Sequence, residues 1–352
     1  MTAPIRVLIV DDSATIRSLL SALLSRDPQI EVVGEAPEPA VARQMIKDLS
    51  PDVITLDVEM PHMNGLEFLE KIMRLRPMPV VMVSTLTQKG AEVTLAALEL
   101  GAVDFFPKPT DNAAALLEGG GAELVAKVKA AARARVRPLS RTIVVPPLEG
   151  FDPGDSVVAI GSSTGGVEAL LQVLSAFPAN CPPTVITQHM PPHFTASFAA
   201  RLSRMCRPQV SEARDGDVLR PGHVFIAPGG EAHLEITGRT TLRCKLDASA
   251  PVSGHRPSVD VLFRSVAASA GGRAVGAILT GMGSDGASGL LEMRKAGAAT
   301  IGQDEASAII YGMPRAAFER GAVQTQLPLE KIGPEILRLC GTEKEKRHAR
   351  SG

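Results

Sequence analysis

Apolar residues fall in two alternating series along the chain. In the first, short runs at Val7–Val10, Glu31–Gly34, Val53–Leu56, Val80–Val83 and Val103–Phe106 are separated by helically spaced segments such as Thr15–Leu24 and Leu66–Leu75. Strand-length runs alternating with helices predict parallel strands joined by crossover helices, here a doubly wound five-stranded α/β sheet. Helical spacing continues over Ala122–Arg135 and breaks at Arg137-Pro138. Residues 138–155 then carry Pro138, Pro146, Pro147, Gly150, Pro153 and Gly154, the make-up of a linker. The second series begins at Val157. Val157–Ile160, Thr184–Thr187, His223–Ala227 and Val275–Thr280 read as strands, Thr300–Gly302 is a further apolar stretch, and helices are expected after the first and fourth. The expected organisation is a first domain over 1–125, a linker with a helical start over 126–154, a second, larger parallel α/β domain over 155–341, and a polar tail over 342–352.

Composition narrows the function classes. A length of 352 residues suits about two domains, and 45% hydrophobic content supports real cores. A net charge of −1 favours neither nucleic acid nor an anionic membrane surface, and the basic run Lys344–Arg350 reads as a solvated end. The four cysteines Cys181, Cys206, Cys244 and Cys340 form no C-x-x-C, which argues against a disulfide framework or a zinc site. The apolar stretch Ile5–Val10, interrupted by Arg6, is too short for a signal peptide, and no run approaches the ~20 residues of a membrane span. A cytoplasmic protein is expected.

Ligands of doubly wound sheets sit at the carboxyl ends of the strands. In the first series those ends carry Asp11 and Asp12, Asp57, Ser84 and Lys108. Three carboxylates on one edge repel each other unless a hard cation such as Mg²⁺ lies among them, and a hydroxyl with a lysine completes a site for phosphoryl oxygens. As separate residues they would be surface groups or helix caps. The segments Val10-Asp11-Asp12-Ser13, Leu56-Asp57-Val58-Glu59-Met60-Pro61-His62-Met63-Asn64-Gly65 and Phe106-Pro107-Lys108-Pro109 resemble the receiver domain of two-component response regulators. The resemblance implies that Asp57 takes a phosphoryl group from a histidine kinase. It also implies that Asp12, Asp57 and the Glu59 backbone carbonyl hold Mg²⁺, that Ser84 and Lys108 read the phosphoryl oxygens, and that Phe105 stands where receivers carry a switching aromatic.

Three loops after strands stand out in the second series: Gly161–Gly166, Gln188-His189-Met190-Pro191-Pro192, and Thr280–Ala287. The first reads G-x-S-x-G around Ser163 between a strand and a helix, a turn that exposes a hydroxyl at a sheet end. Acyl hydrolysis needs a nucleophile, a base and a carboxylate that orients the base, and Ser163, His189 and Asp285 have that chemistry at strand ends. A lone serine between glycines is more often a turn or a cap, and His223 and His255 also remain open as bases. His189 and His193 have the spacing of a two-histidine metal face, but Pro191 and Pro192 between them disfavour the helix it requires. The competing reading is a dinucleotide fingerprint, Gly281-x-Gly283-x-x-Gly286 with Asp304 about twenty residues on. It leaves Ser163 and His189 idle and comes late in the domain.

The segments Gly161–Gly166, Gln188–Pro191, Val224–Gly230, His255–Phe263, Thr280–Gly286 and Tyr311–Pro314 resemble the effector domain of the CheB family of chemotaxis protein-glutamate methylesterases. The resemblance implies a Rossmann-like domain that hydrolyses glutamate methyl esters on chemoreceptors and deamidates receptor glutamines without a cofactor. Ser163 would be nucleophile, His189 base and Asp285 its orienting carboxylate. The backbone N–H groups of Thr164 and Met282 would be oxyanion donors, and Arg256 would guide acidic receptor surface. The receiver would act as a gate, expected to cover the active-site face until Asp57 is phosphorylated. A phosphorylation-dependent scaffold with an idle triad is the non-enzymatic alternative.

Overall fold

The computed structural model describes residues 3–60, 63–84, 87–108, 121–136, 151–192 and 194–341. Pro61, His62, Pro109, His193, residues 137–150 of the expected linker and the tail from 342 lie outside the described residues. The chain divides into two units, Met1–Arg141 and Thr142–Gly352. No helix among the described residues is long and apolar enough to cross a membrane.

The first unit runs β1 (Ile5–Val10), α1 (Ala14–Leu24), β2 (Ile30–Ala36), α2 (Pro39–Leu49), β3 (Val53–Asp57), α3 (Gly65–Leu75), β4 (Val80–Ser84), α4 (Gln88–Glu99), β5 (Asp104–Pro107) and α5 (Gly121–Ala132). Its strands pair in parallel in the order β2-β1-β3-β4-β5. Helices cover both faces of such a sheet, so β3 and β4 are buried at every position and read as unbroken apolar runs. Helix starts are set by side-chain caps: Ser13, Asn64 and Thr87 accept hydrogen bonds from Ile16, Glu67 and Gly90 N–H. The strand order reverses between β1 and β3, which places Asp11, Asp12 and Asp57 at the crevice where such folds bind ligands.

The second unit runs β6 (Val157–Ser162), α6 (Gly166–Ser175), β7 (Thr184–Gln188), α7 (Phe194–Met205), β8 (Gln209–Glu212), β9 (His223–Ile226), β10 (His233–Thr237), β11 (Arg243–Asp247), α8 (Val259–Ala270), β12 (Ala274–Ile278), α9 (Ala287–Lys295), β13 (Ala299–Gln303), α10 (Met313–Glu319), β14 (Thr325–Leu327) and α11 (Leu329–Cys340). Seven parallel strands follow the order β14-β13-β12-β6-β7-β9-β8, and β10 with β11 forms a separate antiparallel hairpin. The switch point lies between β6 and β12, with β7 on the other side of β6. The loops after these three strands are the ones that carry Ser163, His189 and Asp285.

The structure adds elements the apolar pattern does not show. Strand β8 (Gln-Val-Ser-Glu) and the hairpin are short and half polar, and β14 has three residues. Helix α7 follows β7 as well; Pro191 and Pro192 stand just ahead of its first residue, Phe194, where proline interrupts no helical hydrogen bond. The fourth expected strand ends at Ile278 rather than Thr280, because Thr280 turns its polar groups to neighbouring loops.

Candidate active site

The chain leaves β6 at Ser162 and enters α6 after a single turn. Gly165, at φ 78°, caps the helix in the left-handed region that a side chain strains. Ser163 N–H donates to the Thr280 carbonyl (3.0 Å), and the Ser163 carbonyl accepts from Gln188 Nε2 (2.9 Å), so the nucleophile loop is tied to the loops after β12 and β7. Gln188 also accepts the Ser162 hydroxyl (2.6 Å) through Oε1. Nothing local in the sequence signals that Gln188 braces Ser163, because the bond spans 25 positions.

His189 follows β7, held by its N–H on the Ser162 carbonyl (3.1 Å). Its Nε2 lies 2.8 Å from Asp285 Oδ2, while Nδ1 is buried and has no hydrogen-bond partner among the described residues. A carboxylate only accepts, so Nε2 carries the proton and Nδ1 is the basic nitrogen. Ser163 Oγ makes no hydrogen bond to Nδ1 here; contacts between nucleophile and base are often loose without substrate.

Asp285 is 2% exposed. Burial alone would raise its pKa, but His189 and the donors at the start of α8 reverse this and hold it below the ordinary carboxylate value. Those donors are Ser258 Oγ (2.8 Å), Val259 N (2.7 Å) and Asp260 N (3.1 Å), so the carboxylate occupies the anion-binding end of a helix. The ring of His255 stacks on His189 at 3.8 Å and 10°. Burial and the neighbouring His189 push its pKa down to about 4, so His255 stays neutral at pH 7.

The remaining loop residues fall into place around this pair. Gly281 N–H donates to the Ile310 carbonyl, and its own carbonyl accepts from Gly312 and Met313 N–H. A Cβ on Gly281 would stand 2.8 Å from Ser163 Cβ, so the glycine is the seat of the nucleophile. Met282 is 40% exposed, and its N–H makes no hydrogen bond to another described residue. The Thr164 carbonyl accepts from Thr280 Oγ1 (3.0 Å).

Several readings are corrected. Arg256 donates from Nε to the Gly230 carbonyl and from Nη1 to those of Ala248 and Ser249, so it ties loops together. His223 sits in β9, stacked on Phe225 and bonded to Ser211 and Arg220, away from the nucleophile loop. The dinucleotide fingerprint fails on geometry: the Gly281 loop is closed by the 310–313 backbone, and Asp304 spends its carboxylate on Ser307 N (2.8 Å) and Oγ (2.7 Å).

The first unit holds a second cluster. Asp11, Asp12 and Asp57 offer carboxylate oxygens within 4.8 Å of one another. Lys108 Nζ lies 2.9 Å from Asp11 Oδ2 and 2.7 Å from Asp57 Oδ2, contacts of charge without an aligned hydrogen bond. Burial first, with Asp11 adding to it, pushes Asp57 up to about 6 against the pull of Lys108. Lys108 is itself held above its ordinary value: burial opposes its charge, and Asp57 and Asp11 outweigh that. Glu59 N–H donates to Asp57 Oδ1 (3.1 Å), and Ser84 is buried at the end of β4. Phe105 is buried beneath Lys127, whose Nζ is 5.0 Å from the ring centroid. Crowded acidic oxygens with one lysine between them fit a hard divalent cation.

Comparison with known proteins finds a family model for each of the two units. Residues 158–336 match the CheB methylesterase family model, and residues 7–118 match the response regulator receiver domain. A protein-glutamate methylesterase/protein-glutamine glutaminase of Caulobacter vibrioides is 64% identical over 97% of this chain and 100% of its own length. One from Rhizobium johnstonii is 60% identical over 98% and 99%. Among solved structures, the Thermotoga maritima CheB methylesterase catalytic domain aligns with a TM-score of 0.51 and 37% identity, covering 53% of this chain and 99% of that one. With a receiver domain ahead of a domain whose strand-end loops carry Ser163, His189 and Asp285, the chain belongs to the CheB methylesterase family.

Proposed function

We propose that this protein is a phosphorylation-activated protein-glutamate methylesterase of chemotaxis adaptation. It hydrolyses glutamate methyl esters on chemoreceptors, releasing methanol, and deamidates receptor glutamines. The observation that carries the reading is the His189–Asp285 pair with its buried carboxylate, whose unpartnered His189 Nδ1 belongs to the strand end beside the one that carries Ser163.

Ser163 Oγ attacks the ester carbonyl as its proton passes to His189 Nδ1. Asp285 holds the imidazole by Nε2–H and stabilises the imidazolium that forms. The tetrahedral oxyanion lies against the backbone N–H groups of Met282 and Thr164; loss of one such donor typically costs about 10²–10³ in rate. Collapse expels methoxide, which takes the proton from His189 and leaves as methanol. Water, deprotonated by the same nitrogen, then attacks the glutamyl ester of Ser163; this frees the glutamate carboxylate and restores the hydroxyl. With a glutamine substrate the leaving group is ammonia.

In the receiver, a histidine kinase supplies the phosphoryl group and Asp57 accepts it. Asp12, Asp57 and the Glu59 carbonyl would hold Mg²⁺, with Asp11 beside them, and the ion would neutralise charge on the phosphoryl oxygens. Lys108 and Ser84 stand at the neighbouring strand ends to bind those oxygens. Phosphorylation adds charge at this edge and raises the esterase rate.

The test is methanol release from methylated receptor, with wild type and Ser163→Ala, each with and without acetyl phosphate. The expected result is release that needs Ser163 and rises with the phosphodonor. Release untouched by Ser163→Ala would remove the nucleophile assignment. No release from wild type alongside receptor binding would favour a scaffold.

A further inference from the structure

We propose that His233, outside the triad, is a positioning residue of the esterase: it anchors the Ser258 backbone so that the Ser258 hydroxyl holds Asp285. The inference rests on the triad reading above.

His233 opens strand β10 of the hairpin and is fully buried. Both nitrogens of this buried imidazole have partners, and those partners leave one arrangement. Ser258 N–H, which can only donate, lies 3.0 Å from Nδ1. The Ala250 carbonyl, which can only accept, lies 3.1 Å from Nε2. His233 is therefore neutral with its proton on Nε2, and its lone pair fixes Ser258.

Ser258 stands directly before α8, the place of an N-cap, yet its hydroxyl does not cap its own helix. It donates to Asp285 Oδ1 at 2.8 Å, and the Asp285 carboxylate takes the exposed N–H groups of Val259 and Asp260 instead. The cap is thus supplied by the reaction carboxylate, and the residue in the cap position orients it. An unbroken line of hydrogen bonds runs from Ala250 through His233, Ser258 and Asp285 to His189. Loss of the Nδ1 acceptor would strand a buried N–H and free the Ser258 backbone to rotate, carrying its hydroxyl off Asp285.

The experiment is steady-state methanol release by the full chain with acetyl phosphate. It compares wild type, Ser163→Ala, Ser258→Ala, His233→Ala, His233→Asn, His233→Gln and the double variant Ser258→Ala/His233→Ala, each checked for folding by calorimetry. Asn places its amide oxygen near Nδ1, whereas Gln reaches only the Ala250 end. The expected result is a kcat about tenfold lower in Ser258→Ala, His233→Ala and His233→Gln with little change in KM, the size expected for one hydrogen bond to a carboxylate. His233→Asn keeps most of the rate, and the double variant is no slower than Ser258→Ala, because the two residues act through one bond. Equal loss in Asn and Gln, additive losses in the double variant, or full kcat in His233→Ala would overturn the proposal. If His233→Ala does not fold, the Asn and Gln pair decides. Ser163→Ala at wild-type rate would instead overturn the triad, and this inference with it.

Discussion

Substitution of Gly281 by alanine tests whether this glycine seats the nucleophile. The added Cβ would lie 2.8 Å from Ser163 Cβ, 3.1 Å from Ser163 N and 2.3 Å from Met313 Sδ. Carbon atoms in contact prefer ~3.5–4.0 Å, so the Ser163 side would have to retreat by about 1 Å. Ser163 cannot yield freely, because its N–H and carbonyl are tied to Thr280 and Gln188. A misplacement of ~1 Å at a reacting group costs about 10²-fold in rate, and the overpacking costs about 1–3 kcal/mol of stability. Gly283 is the control. Its φ of 84° strains an alanine, but the new Cβ meets nothing within 4 Å, so Gly283→Ala loses some stability and keeps most of kcat. Methanol release gives kcat and KM for each, and calorimetry gives the stability. Wild-type kcat in a folded Gly281→Ala would refute the reasoning. A larger kcat loss in Gly283→Ala would put the catalytic weight of this loop elsewhere.

The other predictions concern charge. Asp285→Asn lowers kcat by about 10⁴-fold, as loss of the orienting carboxylate does in such triads. Because the folded state depresses the Asp285 pKa below 3.8, its charge contributes stability above that pH and loses it as pH falls through the folded value; the stability gap between Asp285→Asn and wild type, measured by calorimetry, narrows in acid. His255 has a folded pKa of about 4 against 6.5 unfolded, so the unfolded chain binds the extra proton between those values and stability falls as pH drops through the window. With partial solvent screening the decline is about 1–2 kcal/mol. His255→Phe keeps the stacking face and flattens that part of the melting curve against pH; an unchanged slope would show that His255 does not titrate this way. Asp57→Asn abolishes the rise in esterase rate with acetyl phosphate and leaves the unstimulated rate within about twofold, since no catalytic group is touched.

Much of the fold could be read from apolar runs because both sheets are parallel and buried on two faces, which writes each central strand as an unbroken stretch such as Val157–Ile160. Strand ends then pointed to Ser163, His189, Asp285 and the receiver carboxylates. Short edge and hairpin strands escaped because polar residues alternate in them, as in β10 and β11. The support of the site escaped for another reason. Ser258 meets Asp285 from 27 positions away and His233 meets Ser258 from 25, and nothing local in the chain announces either pairing. Arg256 likewise reaches the Gly230 carbonyl from 26 positions away.

The neighbourhood of the nucleophile contains the chain's sole tyrosine. Tyr311 pairs its backbone with Gly281, its hydroxyl accepts from the Gln326 amide, and there is no tryptophan anywhere in the sequence. With excitation near 280 nm, where phenylalanine hardly absorbs, emission therefore originates from one ring whose backbone pairs with the Gly281 loop, and the receiver has no tyrosine or tryptophan to add to it. A kinase-driven change that reaches the Gly281 loop can be followed by intrinsic fluorescence in the unlabelled, full-length protein, in real time and without substrate.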